Sequence, residues 1–213
     1  LVFRAKLDIG TAEEDGAFNV VSTCSYGNTM DAVKIKEIWE LKEEELKTKY
    51  TKDEIEFMKK DWLLLDAKRI FVEDSFDFTI ETVGIYSNYK IIELGCLVLI
   101  KSLNKTLDSI KNDSSLIKEA NDTMENCYII TIINEDYTIG KILEFYLYNK
   151  YFIEKKQLNF VGFLKKHPHD INSIIKVSFK NLISKDELIY IIEEAVNYGI
   201  LLYNNIKTYF SDS

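Results

Sequence analysis

Two histidines and an aspartate form a short cluster whose residue types suit metal binding. His167 and His169 flank Pro168, and Asp170 follows directly, so three possible ligands lie within four residues. The chain has only these two histidines, and no further group of ligands in the sequence completes a tetrahedral zinc site. We therefore interpret the segment as a corner between two strands, with the proline setting the bend. A metal-dependent enzyme that uses His167, His169 and Asp170 stays open as an alternative.

The remaining candidates for chemistry are an acidic turn and three scattered thiols. Glu13, Glu14 and Asp15 are adjacent, whereas a calcium loop takes its acidic ligands from alternate positions. We therefore interpret this turn as a solvated loop. The cysteines form no CxxC pair, which favours a reducing, intracellular compartment; they are Cys24, Cys96 and Cys127. Glycine-rich phosphate-binding motifs are missing from the sequence as well, and we predict neither catalysis nor a cofactor.

Composition narrows the class of protein further. Hydrophobic residues make up 46% and charged residues 29% of the 213 residues, which is typical of a chain that buries a core. The net charge of −8 disfavours a protein that coats nucleic acid. No apolar stretch is as long as a membrane span. The first residue is a leucine within a strand-like pattern, so we expect the chain to continue a longer protein.

Residue patterns in the second half predict the order β-α-β-β-α. Helices are predicted after a cap at Asp136 or Thr138 and again from Ser184. Three strands are predicted where apolar residues alternate: 128–133, 157–164 and 171–179.

The last predicted helix, Ser184–Phe210, opens with a capping box of Ser184 and Glu187. Its apolar stripe is longer than three strands can cover, so part of it must meet other elements. We expect this helix to pack on two others, Ile139–Lys150 and Asn88–Lys111.

The first half is predicted to combine strands with helices. Two helices are expected between residues 29 and 65, and a capping box of Thr51 and Glu54 marks the start of the second one. A long helix is expected from Asn88. Strands are predicted at 1–9, 17–26 and 76–81.

A polar stretch, residues 112–123, is predicted to link two lobes. The first lobe would comprise residues 1–111 and the second residues 124–213. The predicted fold class is α+β, with an antiparallel sheet packed with long helices in each lobe.

Motifs in the second half resemble the small alpha-like subunit of cellular RNA polymerases. Residues 135–140 read E-D-Y-T-I-G, residues 160–163 read F-V-G-F, and residues 166–168 read K-H-P. That family, which includes the archaeal L subunit and the eleventh subunit of eukaryotic polymerase II, shows E-D-H-T-L-G-N, then F-A-G-Y-K, then H-P between the same elements. This chain departs from the pattern at Tyr137, where the family has histidine, and at Lys141, where it has asparagine. The resemblance covers residues 124–210.

The first half resembles the C-terminal part of the larger alpha-like subunit, the archaeal D or eukaryotic third subunit. Residues 76–84 match its strand-and-turn pattern F-x-F-x-V-E-x-x-G. Residues 4–18 are similar to its loop A-x-x-G-x-x-x-x-H-A-K-W-x-P, although Asp15 and Gly16 stand where histidine and alanine are common. A D-like half followed by an L-like half resembles the fused alpha-like polymerase subunit of large cytoplasmic DNA viruses.

The resemblance implies an intramolecular D/L pseudo-heterodimer with a non-catalytic role in transcription. Such a protein is an assembly platform of a multisubunit DNA-directed RNA polymerase. It docks the two large catalytic subunits, chiefly the second-largest, beside small polymerase subunits. It meets nucleic acid only through the complex and has no membrane partner. For a viral protein, the resemblance implies the host cytoplasm, a virus factory or the virion, with the nucleus as an alternative; a stand-alone interaction module also stays open.

The same resemblance implies which residues make the contacts. The loop that contains Gly10, Glu13, Glu14 and Phe18 would contact a large subunit. Dimerisation and partner contacts would come from the motif residues and from two apolar positions of the last helix: Glu135, Asp136, Thr138, Ile139, Leu143, Phe160, His167, Pro168, Ile192 and Leu202.

Overall fold

The computed structural model describes residues 2–120 and 124–211. The chain divides into two compact units, Leu1–Asn88 and Tyr89–Ser213. The described residues combine helices with two antiparallel sheets, so the predicted α+β class is confirmed. The boundary between the units falls at the first residue of the long helix that begins at Asn88. The sequence placed the boundary at residues 112–123, of which 121–123 lie outside the described residues. The helix groups with the second unit because its apolar stripe enters that unit's core.

The first unit contains a β-ribbon and a helical hairpin. The ribbon consists of β1 (Val21–Met30) and β2 (Phe71–Thr82), which pair antiparallel. Between them lie α1 (Ala32–Leu46) and α2 (Lys52–Leu64). The predicted capping box is confirmed, since Glu54 Oε2 accepts a hydrogen bond from the Thr51 amide at 2.9 Å.

The core of the first unit lies between the helices rather than on the ribbon. The rings of Trp39 and Trp62 contact each other at 5.4 Å between centroids. Ile35, Ile55 and Ala67 complete this small buried cluster. Of the strand predicted at 1–9, Leu1 lies outside the described residues, and residues 2–10 belong to no helix or strand. A strand needs a neighbouring edge for its hydrogen bonds, and this segment has none in the described structure.

The second unit packs helices on one face of a four-stranded antiparallel sheet. Its strand order is β3-β4-β6-β5, and its predicted order β-α-β-β-α is confirmed with β3 added ahead of it. A π-helical turn, Tyr148–Glu154, extends the fourth helix. The elements are α3 (Asn88–Asn112), β3 (Ile117–Glu119), β4 (Cys127–Ile132), α4 (Tyr137–Leu147), β5 (Leu158–Leu164), β6 (Ser173–Phe179) and α5 (Lys185–Ser211).

The stretch predicted as a linker, residues 112–123, contains secondary structure. Ser114–Leu116 forms a 3-10 helix, and β3 adds a fourth strand to the sheet. Ile117 pairs with Ile130 of β4 and is buried. Burial of this one apolar side chain anchors a segment whose composition otherwise resembles a loop.

Helices α3, α4 and α5 meet at Gly199. A Cβ atom on this glycine would lie 2.9 Å from Leu103 Cδ1 of α3 and 3.2 Å from Ile142 Cγ2 of α4. The lack of a side chain therefore allows both neighbouring helices to approach α5 closely. Lys111 and Glu193 add an ion pair of 2.7 Å between α3 and α5. The predicted packing of the last helix on the other two is confirmed, although α3, which the sequence assigned to the other lobe, groups with the second unit.

Candidate functional site

Two separate sequence motifs of the second unit meet at the start of α4. A Cβ atom on Gly140 would lie only 2.0 Å from the ring of Phe163 on β5. The same ring contacts Tyr137 edge-on, with 5.2 Å between centroids. Glu144 Oε1 accepts a hydrogen bond of 3.0 Å from the Phe163 amide. The glycine of the first motif and the second aromatic of the other thus form one contact between helix and sheet.

The residues ahead of α4 are fixed by polar contacts. Asp136 is the N-cap, and its carboxylate accepts a hydrogen bond from the Thr138 amide. Lys165, largely buried, lies 3.8 Å from the same carboxylate. The Glu135 carbonyl accepts a hydrogen bond of 2.8 Å from Ser173 Oγ at the start of β6. These bonds tie the entry of α4 to both neighbouring strands.

His167, Pro168 and His169 lie at the exposed corner between β5 and β6, as predicted. The His169 amide donates a hydrogen bond of 3.2 Å to His167 Nδ1. Asp170 Oδ2 accepts a hydrogen bond of 3.0 Å from the His167 amide. His167 Nδ1 and Asp170 Oδ2 are thus engaged in closing the turn. Within residues 2–120 and 124–211, no group of three possible ligands is placed to hold a metal ion.

The apolar positions predicted as contacts fall into two groups. Ile139, Leu143 and Ile192 are buried in the core of the second unit, where they join sheet and helices. Leu202 is 41% exposed and Phe160 is 38% exposed. The sequence grouped Leu202 with the buried stripe of α5, whereas the structure places it at the surface because the stripe is wider than the neighbouring helices can cover.

The loop that precedes β1 folds back on itself. The Phe18 ring and Glu14 Oε2 both lie 2.5 Å from the position that a Cβ on Gly10 would occupy. The same Glu14 oxygen accepts a hydrogen bond of 3.0 Å from the Thr11 amide. Three of the four predicted loop residues are therefore in mutual contact, and Glu13 is exposed at the apex. The result is a compact turn that presents an exposed surface.

A polar network around Tyr151 is a feature that the sequence reasoning missed. The buried Tyr151 hydroxyl donates a hydrogen bond to Glu194. Lys155 Nζ lies 3.6 Å from the same carboxylate and 4.0 Å from the centre of the Tyr151 ring. Burial, reinforced by the carboxylate, raises the pKa of Tyr151. The phenol's hydrogen bond and the lysine lower the pKa of Glu194. No local sequence motif predicts these contacts, because Tyr151 and Glu194 become neighbours only through the π-helical turn.

Comparison with protein families and with curated proteins identified no relative of this chain. No protein-family model matches the chain, and no curated protein matches it at a significant level. Among the described residues, no helix is long and apolar enough to cross a membrane.

Proposed function

We propose that this chain is a non-catalytic assembly platform of a multisubunit DNA-directed RNA polymerase. Residues 1–111 would supply the D-like part and residues 124–213 the L-like part of a pseudo-heterodimer. The proposal depends on the motif resemblance, and the observation that carries it is the contact of Gly140 with Phe163. Those residues belong to two motifs that lie apart in sequence, and a shared packing role gives a reason for their pairing.

The loop before β1 supports the part of the proposal that concerns partners. Gly10, Glu14 and Phe18 are in contact, so this turn has a defined shape before any partner binds. A preformed surface loses less conformational entropy on association than a loop that must first be ordered. We assign to it the contact with the second-largest catalytic subunit.

The α3–α4–α5 packing supports the role of a platform. Gly199 and the Lys111–Glu193 ion pair hold long helices in fixed positions. Such rigid elements can keep two large partners in register, while the chemistry resides in those partners.

Reconstitution with the two largest polymerase subunits of the same genome tests the proposal. We expect the tagged chain to form a stoichiometric complex with them and to be required for DNA-directed RNA synthesis. The isolated chain should synthesise no RNA. Full polymerase activity without this chain, or RNA synthesis by the chain alone, would overturn the assignment.

A chain that stays monomeric beside both large subunits would contradict the proposal too. The double variant His167→Ala, His169→Ala serves as a control for the metal-enzyme alternative. The purified chain should contain no stoichiometric zinc, and this variant should have the same metal content as the unchanged chain.

A further inference from the structure

The first described residues have an alternating pattern that the structure leaves uncovered. Segment Val2–Ile9, which we call the strap, belongs to no strand. Phe3, Leu7 and Ile9 are 80%, 96% and 96% exposed. In extended conformation the strap would have an apolar face and a polar face. The first face would comprise Phe3, Ala5, Leu7 and Ile9, and the second Arg4, Lys6 and Asp8.

The β1–β2 ribbon offers an open edge beside an uncovered aromatic face. Among the described residues, β1 pairs with β2 alone, so its other edge is open. Tyr26, Phe76 and Phe78 form a cluster on one face, with ring centroids about 6 Å apart. These side chains are 70%, 52% and 66% exposed. A two-stranded ribbon is marginal by itself and gains stability from a third strand.

The opposite face of the ribbon is polar and acidic. Glu81 Oε2 accepts a hydrogen bond of 3.2 Å from Thr23 Oγ1, and Asp77 Oδ1 accepts one of 3.0 Å from Thr29 Oγ1. Neither strand contains a lysine or arginine. The strap has two basic side chains on its polar face, so both of its faces complement those of the ribbon.

The loop before β1 brings the base of the strap near the start of this strand. Because Phe18 packs on Gly10, the two ends of the loop lie together. The strap ends at Ile9, directly before the loop, and β1 begins at Val21, shortly after it. The base of the strap therefore lies near the start of β1, from which an antiparallel course follows the open edge.

We propose that the strap closes onto the open edge of β1 as a third antiparallel strand. The register that matches both faces places Phe3 opposite Tyr26, which itself pairs with Phe78. In the same register Lys6 lies opposite Thr23, whose partner across the ribbon is Glu81. A slip by one residue would turn the apolar side chains to the acidic face. The closed sheet pairs an edge that would otherwise promote aggregation and places Phe3 beside the exposed Tyr26 ring.

This closure concerns the first unit alone and does not depend on the polymerase assignment. Its sharpest test uses the native thiol of Cys24, which is exposed, whereas Cys96 and Cys127 are buried. In the proposed register Ala5 lies opposite Cys24. Side chains that face each other on neighbouring strands have Cβ atoms about 5 Å apart, within reach of a disulfide after small adjustments.

The experiment is diamide oxidation of the full-length Ala5→Cys variant, followed by peptide mapping under non-reducing conditions. We expect an intramolecular disulfide between residue 5 and Cys24 that forms at least about tenfold faster than one from Lys6→Cys. Lys6→Cys is the matched control, since its thiol would lie on the opposite face. The variant Ala5→Cys, Cys24→Ser should form no such bond.

Three outcomes would overturn closure of the strap. Equal rates of disulfide formation in the two variants would show that the strap has no fixed register on β1. Lack of a crosslink would show that the strap stays away from β1. A disulfide-linked dimer in place of the intramolecular bond would assign the open edge to a second copy of the chain. Both positions are exposed, so the substitutions leave the buried core intact.

Discussion

The packing of α4 against β5 depends on Gly140. The Phe163 ring occupies the space that any side chain at this position would need. Gly95 offers an instructive contrast, because it also lies in a helix but has no atom within 4 Å of its missing Cβ. The same substitution at the two sites should therefore change stability in opposite directions.

We predict that Gly140→Ala lowers the free energy of unfolding by about 1–3 kcal/mol, because the ring of Phe163 must move and overpack its surroundings. Gly95→Ala should raise it by up to about 1 kcal/mol, since alanine favours a helix. Urea denaturation of both variants measures the difference. Equal effects of the two substitutions would show that the ring is free to move aside.

Glu194 gives the stability of the second unit a defined pH dependence. Its pKa is lowered in the folded state by the Tyr151 hydrogen bond and by Lys155. A carboxylate of lowered pKa stabilises the fold fully above its unfolded pKa, which is near 4.5, and loses this contribution as the pH falls through the folded value.

We therefore predict that Glu194→Gln reduces the loss of stability between about pH 7 and about pH 3. Urea midpoints at several pH values measure this loss. Glu37→Gln, at an exposed position of α1, controls for the removal of one carboxylate. An unchanged pH profile in Glu194→Gln would show that the Tyr151 network does not contribute to stability.

At the scale of elements, α5 is the helix that organises the second unit. Ile192 lies in the core, Gly199 receives Leu103 and Ile142, and Leu202 lies further along at the surface. The helix stays packed beyond this point, since Tyr203 lies against the core and the Phe210 ring contacts Tyr89 of α3 with 6.1 Å between centroids. Leu202 lies on the outer side of this packed helix.

We predict that Ile192→Asp lowers the free energy of unfolding by more than about 3 kcal/mol, because it buries a carboxylate among apolar side chains. Leu202→Asp should change it by less than about 1 kcal/mol, since the charge reaches water. Thermal or urea denaturation separates the two. A large loss in Leu202→Asp would place that residue in a buried contact.

For the whole molecule, the proposed function is the assembly of a complex, and the loop before β1 is the part of this proposal that a substitution can test. Gly10 and Gly16 lie in the same turn. A Cβ at Gly10 would meet Glu14 and Phe18, whereas a Cβ at Gly16 would meet no atom within 4 Å. Substitution of these two glycines therefore distinguishes an effect of the shape of the loop from an effect of its composition.

We predict that Gly10→Ala weakens binding to the large polymerase subunits about tenfold. Gly16→Ala should bind as the unchanged chain does. Titration of the reconstituted complex measures both affinities. If both variants bind as the unchanged chain does, this loop is not part of the proposed interface. The description of the fold would not change.

Local signals in the sequence determined most of the secondary structure. The capping box at Thr51 and Glu54 begins α2, Asp136 caps α4, and the Glu187 amide donates a hydrogen bond to Ser184 Oγ ahead of α5. Caps and hydrophobic periodicity act within one or two turns, so a single sequence is enough to locate them. The corner at Pro168 was predictable for the same reason.

Only the tertiary structure decided which surfaces of these elements are buried and which are exposed. Ile117 makes β3 a strand because Ile130 lies opposite, and Leu202 is exposed because neighbouring helices do not reach it. Phe163 packs on Gly140 across 23 residues of sequence. Such contacts depend on which chain segments become neighbours in space. A strand-like pattern such as Val2–Ile9 forms no ladder of backbone hydrogen bonds until the edge of another strand is beside it.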